Sequence, residues 1–125
     1  MKKLIITLSA SALLFASCQK EAVAPKKQTV KYNVSCAHCS VYVTDNYENN
    51  GQSKHFLVDG QFDYSFDNDT LSQASLQIYV GSFAPSMPVR ATITTNEGKK
   101  VVLDRNMGFS PSNTLIDTTI VLNLK

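Results

Sequence analysis

Hydrophobic and polar residues alternate along most of the chain from Thr29 onward. A period of two is typical of β-strands that bury one face, because successive side chains point to opposite faces. In the first run, Val30, Tyr32 and Val34 share one face. Runs of this kind lie at residues 29–34, 40–45, 54–58, 61–66, 74–80, 89–95, 99–104 and 114–124. No window carries a sustained helical stripe, so the pattern predicts an all-β protein.

Turn signals separate these runs. Asn49-Asn50-Gly51 predicts a hairpin, since asparagine and glycine accept a positive φ. Asp59-Gly60 and Asn96-Glu97-Gly98 predict further turns, and the two prolines of residues 81–88 interrupt the sheet. About seven or eight short antiparallel strands at this spacing predict an immunoglobulin-like β-sandwich.

The first residues have a different pattern. Lys2 and Lys3 precede a short apolar run that ends in small residues before Cys18, which are the three parts of a secretory signal peptide. The run is shorter than the roughly 20 residues that a membrane-spanning helix needs. We therefore predict a signal peptide at residues 1–17, a flexible tether at 18–28 and one β-sandwich domain at 29–125.

The residues before Cys18 indicate how the protein is anchored. Leu14-Phe15-Ala16-Ser17 resembles a bacterial lipobox, although aliphatic residues are commoner at the position of Phe15. The resemblance implies a lipid on the Cys18 thiol, cleavage before Cys18 and acylation of the new amino terminus. Several acyl chains would hold the protein on a membrane, since each buried methylene contributes about 0.8 kcal/mol. The alternative is an ordinary cleaved signal peptide that leaves Cys18 free.

The residues after Cys18 predict the location. Gln19 stands where an aspartate would resemble an inner-membrane retention signal. Gln19-Lys20-Glu21 resembles the short lysine-plus-acid tag of surface-exposed lipoproteins in the Bacteroidota. We therefore expect a lipoprotein of the bacterial outer membrane. The tag favours a domain that faces outward, and a domain that faces the periplasm is the alternative.

Charge argues against one class of partner. The whole chain has 12 Lys and Arg against 10 Asp and Glu, and loss of Lys2 and Lys3 with the signal peptide balances the two signs. A balanced surface is not the basic footprint of a nucleic-acid-binding protein. The expected partners are the membrane, through the lipid on Cys18, and an envelope protein or ligand that the sequence does not name.

The domain resembles the small MmpS-type immunoglobulin-like domains, which are membrane-anchored accessory proteins of transporters. The matching stretches are Tyr32-x-Val34, "VYVTDNYENNGQ" (41–52), "FLVDGQFDYSF" (56–66), "ASLQIYV" (74–80) and "VRATITTNEGKKV" (89–101). The resemblance implies a sandwich fold and an accessory role. The family's usual anchor is a transmembrane helix, and Cys36 and Cys39 are not part of its pattern.

The motif "SCAHCS" holds the two cysteines that remain if Cys18 is acylated. An exported protein lies in an oxidising space, where disulfides persist. A β-turn brings its first and fourth Cα atoms within about 7 Å, which overlaps the disulfide range of about 4.4–6.8 Å. We predict a Cys36–Cys39 disulfide across a turn between the first two strands, with His38 as an exposed turn residue.

Other interpretations of the motif remain as alternatives. Cys36, His38 and Cys39 could hold copper, since the motif resembles that of heavy-metal-associated domains, but there a helix follows where this chain has a strand pattern. A thioredoxin-like redox pair lacks its βαβ setting. Haem attachment needs a histidine where Ser40 stands.

No other motif indicates catalysis or a cofactor. Asp63, Asp67 and Asp69 lack the glycine and closing glutamate of a calcium loop. Phe83 and Phe109, each in an irregular loop, could form a recognition rim, but the favoured prediction is that they cap the core. The sequence thus predicts a non-catalytic binding or transport-accessory module without a cofactor. The alternative is a copper or thiol-redox carrier.

Overall fold

The computed structural model describes residues 27–46, 53–112 and 114–125. These residues form strands, turns and loops, and none of them lies in a helix. The six strands are β1 (Gln28–Val43), β2 (Lys54–Asn68), β3 (Gln73–Tyr79), β4 (Met87–Thr95), β5 (Lys100–Met107) and β6 (Asp117–Asn123). The all-β antiparallel class that the alternation predicts is confirmed.

Strand β1 organises the single six-stranded sheet. One of its edges pairs with β2 along almost its whole length. The other edge pairs first with β4, over Val30–Ser35, and then with β3, over Ser40–Val43. β5 adds to β4 and β6 adds to β3. The sheet therefore has a first half (β2, β1, β4, β5) and a second half (β2, β1, β3, β6) that share the long hairpin.

The two halves meet at a bend in this hairpin. The β1–β2 register shifts between Cys36 and Cys39, and Gly60 lies opposite Cys36 with a φ of 99°. A β-bulge bends its strand and lets it pass from one layer to another. β5 lies against β6, so the sheet is nearly closed on itself.

The core fills the space between the two halves. Alternate residues of β1 are fully buried in it, and the hydroxyl of Tyr32 donates to the Thr44 carbonyl at 2.7 Å. The other strands contribute fewer buried side chains, among them Leu76, Ile78 and Ile93. Burial of one such side chain contributes about 1.5–3 kcal/mol, so this core supplies most of the driving force for folding.

The structure has six strands where the pattern predicts eight, because two predicted interruptions between strands are absent. The runs at 29–34 and 40–45 are both part of β1, and those at 54–58 and 61–66 are both part of β2. The predicted turn at Asp59-Gly60 is wrong: the positive φ of Gly60 serves the bend opposite the cysteines. The predicted turn at Cys36–Cys39 is a bulge within β1.

Several predictions fall on residues 1–26 and 47–52, outside the described part of the chain. These are the signal peptide, Cys18, most of the tether and the hairpin turn at Asn49-Asn50-Gly51. β1 and β2 do pair on either side of that turn, from Val43 opposite Lys54 onward. The described ranges contain no helix long and apolar enough to cross a membrane.

The sheet halves have two ends that matter for function. The corner end lies at the Cys36–Cys39 bulge, near the loops of residues 80–86 and 108–116 that join the two halves. The opposite end lies where β1 begins, and there the Gln28 side-chain amide donates to the Leu124 carbonyl at 3.0 Å. At about 3.3 Å per residue, the strand from Gln28 to Cys36 separates the two ends by roughly 26 Å.

Candidate functional site

The cysteine pair lies in the bulge of β1. The two Sγ atoms are 1.98 Å apart and the Cα atoms 6.2 Å apart, which is consistent with the predicted disulfide. Both residues are buried, at 3% and 7% exposure. Since so short a loop contributes only about 2 kcal/mol through chain entropy, the bond acts as a local clip on the bend.

The three residues of the alternative copper site, Cys36, His38 and Cys39, are arranged differently from a metal site. The sulfur atoms of Cys36 and Cys39 contact each other, while His38 Nδ1 lies 3.6 Å from Asp59 Oδ1. Within residues 27–46, 53–112 and 114–125, no three His, Cys, Asp or Glu side chains are grouped to hold a metal ion. His38 is exposed, as predicted, but it lies in a bulge and not in a turn.

The two irregular loops at the corner end are joined through their backbones. The Phe109 amide donates to the Ala84 carbonyl at 2.7 Å, and Pro85 forms a parallel bridge with Phe109. Gly108 and Leu115 exchange two further hydrogen bonds, of 2.6 and 3.2 Å. Segments far apart in the sequence therefore form one backbone-paired surface.

This surface presents two phenylalanines to solvent. Phe83 is 97% exposed and Phe109 is 57% exposed. The prediction that they cap the core is wrong, because both side chains are more than half exposed, whereas Val80 and Met107 in the same part of the chain are buried in the core. We call Phe83 and Phe109 the aromatic rim.

Gly108 makes the pairing of the loops possible. Its φ is 122°, in the region that favours glycine. A Cβ built at this position would clash with the carbonyl oxygen of Pro85 and lie 2.8 Å from its carbonyl carbon. Only glycine lets the two loops approach closely enough to hold the rim.

A groove of about 440 Å³ lies near the corner end, on the outer face of the second half-sheet, and its lining reaches Gly81, two residues before Phe83. Its floor is formed by Cys39 and Ser40, and its walls include Leu57 and Tyr79. Leu57 is 81% exposed although it lies mid-strand. The sequence pattern could have identified this site. Leu57 is apolar, whereas His55 and Asp59, which share its face of the strand, are polar.

His38, Ser40 and Asp59 all line this groove. These residue types occur together in hydrolytic triads, where the serine is hydrogen-bonded to the histidine. Among the described hydrogen bonds, none joins Ser40 to His38, and the His38 side chain is 83% exposed. In the described residues, His38 and Ser40 are therefore not joined as they are in such a triad.

A polar network lies at the far end of the hairpin, where sequence reasoning identified no site. Asp45 is fully buried; its Oδ2 accepts from the Tyr64 hydroxyl at 2.5 Å and lies 2.9 Å from Lys54 Nζ. The hydrogen bonds of Lys54 to Asp45 and Tyr64 raise the pKa of Lys54. Burial and the hydrogen bond to Asp45 raise the pKa of Tyr64. The network joins β2 to the end of β1 and is structural.

The acidic residues Asp63, Asp67 and Asp69 do not converge on a calcium site. Asp63 accepts a hydrogen bond from the Asn33 amide, and Asp67 accepts one from Thr29 Oγ1 at 3.0 Å. The Asp69 amide donates to the Asn46 side chain at 3.1 Å. Asp63 and Asp67 thus bond across to β1, as is common for polar pairs on an exposed sheet face.

Comparison of the chain with protein-family models, with curated proteins and with solved structures finds no match. The resemblance to MmpS-type domains therefore stays a prediction from the sequence.

Proposed function

We propose that this protein is a lipid-anchored lipoprotein of the outer membrane, held by Cys18, and that its immunoglobulin-like domain is a non-catalytic binding or transport-accessory module. The observation that carries the proposal is the aromatic rim. Phe83 is 97% exposed on a loop whose backbone is paired with a second loop. The partner we expect is another envelope protein.

The exposure of the rim is evidence for binding, because an exposed ring adds little to the stability of the fold. Burial of a phenylalanine side chain would contribute about 1.5–3 kcal/mol, which the exposed ring forgoes. Aromatic residues are enriched at the centres of protein–protein interfaces, where a few of them carry most of the binding energy. The exposure of these two phenylalanines is therefore better explained by a partner than by folding.

The position of the rim relative to the tether supports a partner away from the membrane. The tether joins the domain at Gln28, and the rim lies at the corner end, roughly 26 Å further along β1. The ten residues from Cys18 to Lys27 reach at most about 33–36 Å. The domain would stay close to the membrane, with the rim at the end that lies away from the attachment of the tether.

The groove residues support a non-catalytic role. Ser40 has no hydrogen bond to His38 in the described structure, and His38 is paired with an exposed Asp59. Catalytic triads depend on both contacts. The same surface is well suited to contact a partner.

Replacement of the anchoring cysteine tests the first half of the proposal. Cys18→Ser should move the protein from the membrane fraction to the soluble fraction, because the acyl chains can no longer be attached. Fractionation of cells that express either form, followed by immunoblotting, measures the change. Equal membrane retention of both forms would overturn the lipid anchor.

A photo-crosslinking residue at position 83 tests the second half. In intact cells we expect a discrete crosslinked protein from position 83 and none from position 97, since Glu97 is also exposed but lies at the opposite end. Denaturing gels and mass spectrometry read the result. The same adducts from both positions would contradict binding through the rim.

A further inference from the structure

We propose that the groove between Leu57 and Tyr79 binds an arginine side chain of the partner protein. The inference rests on the proposed function, since it names the chemistry of the segment that docks beside the rim. It depends on three features of the groove: its width, its aromatic wall and its charge.

The register of three strands fixes the width. Leu57 of β2 lies opposite Ser40 of β1, and Ser40 lies opposite Tyr79 of β3. Neighbouring strands are about 4.8 Å apart, so the Cα atoms of the two walls are separated by roughly 9.6 Å. The short side chain of Ser40 leaves the space between them open. The opening suits a flat group or an extended methylene stem.

The wall formed by Tyr79 favours a cation. The hydroxyl of Tyr79 lies 3.3 Å from Ser82 Oγ, a hydrogen bond that restrains the ring. A guanidinium over a tyrosine ring is attracted by the negative face of the ring. The methylene stem of the same side chain would cover Leu57, which is otherwise 81% exposed.

The charge of this face also favours a cation. Asp59 lines the groove and its side chain is 86% exposed, so it can accept two parallel hydrogen bonds from a guanidinium. Asp117 lies next to Tyr79 on β6. Among the described residues, no lysine or arginine lies on this outer face of the second half-sheet. The complementary partner group is therefore positive.

Arginine fits this groove better than lysine or an apolar side chain. Its planar group can stack on Tyr79 and bind the Asp59 carboxylate in a bidentate manner at the same time, whereas an ammonium is a compact point charge. An apolar side chain would form no hydrogen bond with the Asp59 carboxylate. His38, whose Nδ1 is 3.6 Å from Asp59, is the neighbour that an incoming arginine would displace.

A peptide titration of the full-length protein in detergent micelles tests the inference. The probe is acetyl-Leu-Arg-Leu-amide, and its matched control replaces arginine with the neutral isostere citrulline. We expect the arginine peptide to shift the NMR signals of Leu57 and Tyr79 and to bind at least ten-fold more tightly than the control. No binding, or equal binding of the two peptides, would overturn the proposal.

Variants locate the site. Asp59→Asn should weaken binding of the arginine peptide at least five-fold, while Asp104→Asn should leave it unchanged, because Asp104 is an exposed acid on β5 in the other half-sheet. Equal effects of the two substitutions would contradict the assignment. If crosslinking from position 83 persists while peptide binding fails, the groove proposal is wrong and the proposed function stands. If that crosslinking is absent, the proposed function itself fails.

Discussion

Gly108→Ala is expected to lower the free energy of unfolding by about 3 kcal/mol or more. Part of the loss is backbone strain at a φ of 122°, and part is the clash of the new methyl group with the Pro85 backbone. Because Gly108 lies where the two corner loops pair, the substitution should also loosen the rim. Urea denaturation followed by circular dichroism measures the change in stability.

Gly98→Ala is the matched control for this substitution. Gly98 also has a positive φ, of 89°, but nothing lies within 4 Å of a Cβ built there. Strain alone should reduce stability by about 1–2 kcal/mol. Equal losses in the two variants would show that close packing at Gly108 is unimportant, which would contradict our account of how the loops are held.

Asp45→Ala is expected to destabilise the protein by about 2–3 kcal/mol, because it removes a fully buried acceptor of charge-assisted hydrogen bonds. Asp63→Ala is the control, since Asp63 is an exposed acid on the same strand hairpin and should change stability by no more than about 0.5 kcal/mol. Urea denaturation again provides the measurement. Similar losses for both variants would contradict a structural role of the network.

The same network makes the stability of the folded protein decline at alkaline pH. The folded protein holds the pKa values of Lys54 and Tyr64 above their ordinary values, which are about 10.4 and 10 in an unfolded chain. As pH rises through this region the unfolded chain loses its protons first, so stability is full below about pH 10 and declines above it. The urea midpoint of Asp45→Ala should decline less steeply over that range. Parallel curves for the variant and the natural protein would contradict this linkage.

The period-two pattern predicts the class of this fold because burial of one strand face is a local property. It does not predict that eight runs become six strands. A glycine after an aspartate usually marks a turn, yet Gly60 uses its positive φ within β2, where it faces the bulge at Cys36. Whether such a glycine reverses the chain or bends it depends on the partner strand, which the local sequence does not specify.

The candidate site was predictable only in pieces. The cysteine spacing and the predicted export to an oxidising compartment predict the close contact of Cys36 and Cys39, and Leu57 breaks the alternation of β2. The aromatic rim was not predictable, because Phe83 and Phe109 lie in loops whose pairing arises from contacts distant in the sequence. The same holds for the network of Asp45, Lys54 and Tyr64, whose members come from two strands.

The most direct test of the central claim is the yield of crosslinked partner from position 83 when Phe109 is changed to serine. Phe109 is more than half exposed, so the change should leave folding intact while it removes half of the rim. We expect the adduct to fall to the background level found at position 97, with an unchanged melting temperature. An undiminished adduct would show that the aromatic rim is not the surface through which this protein binds its partner.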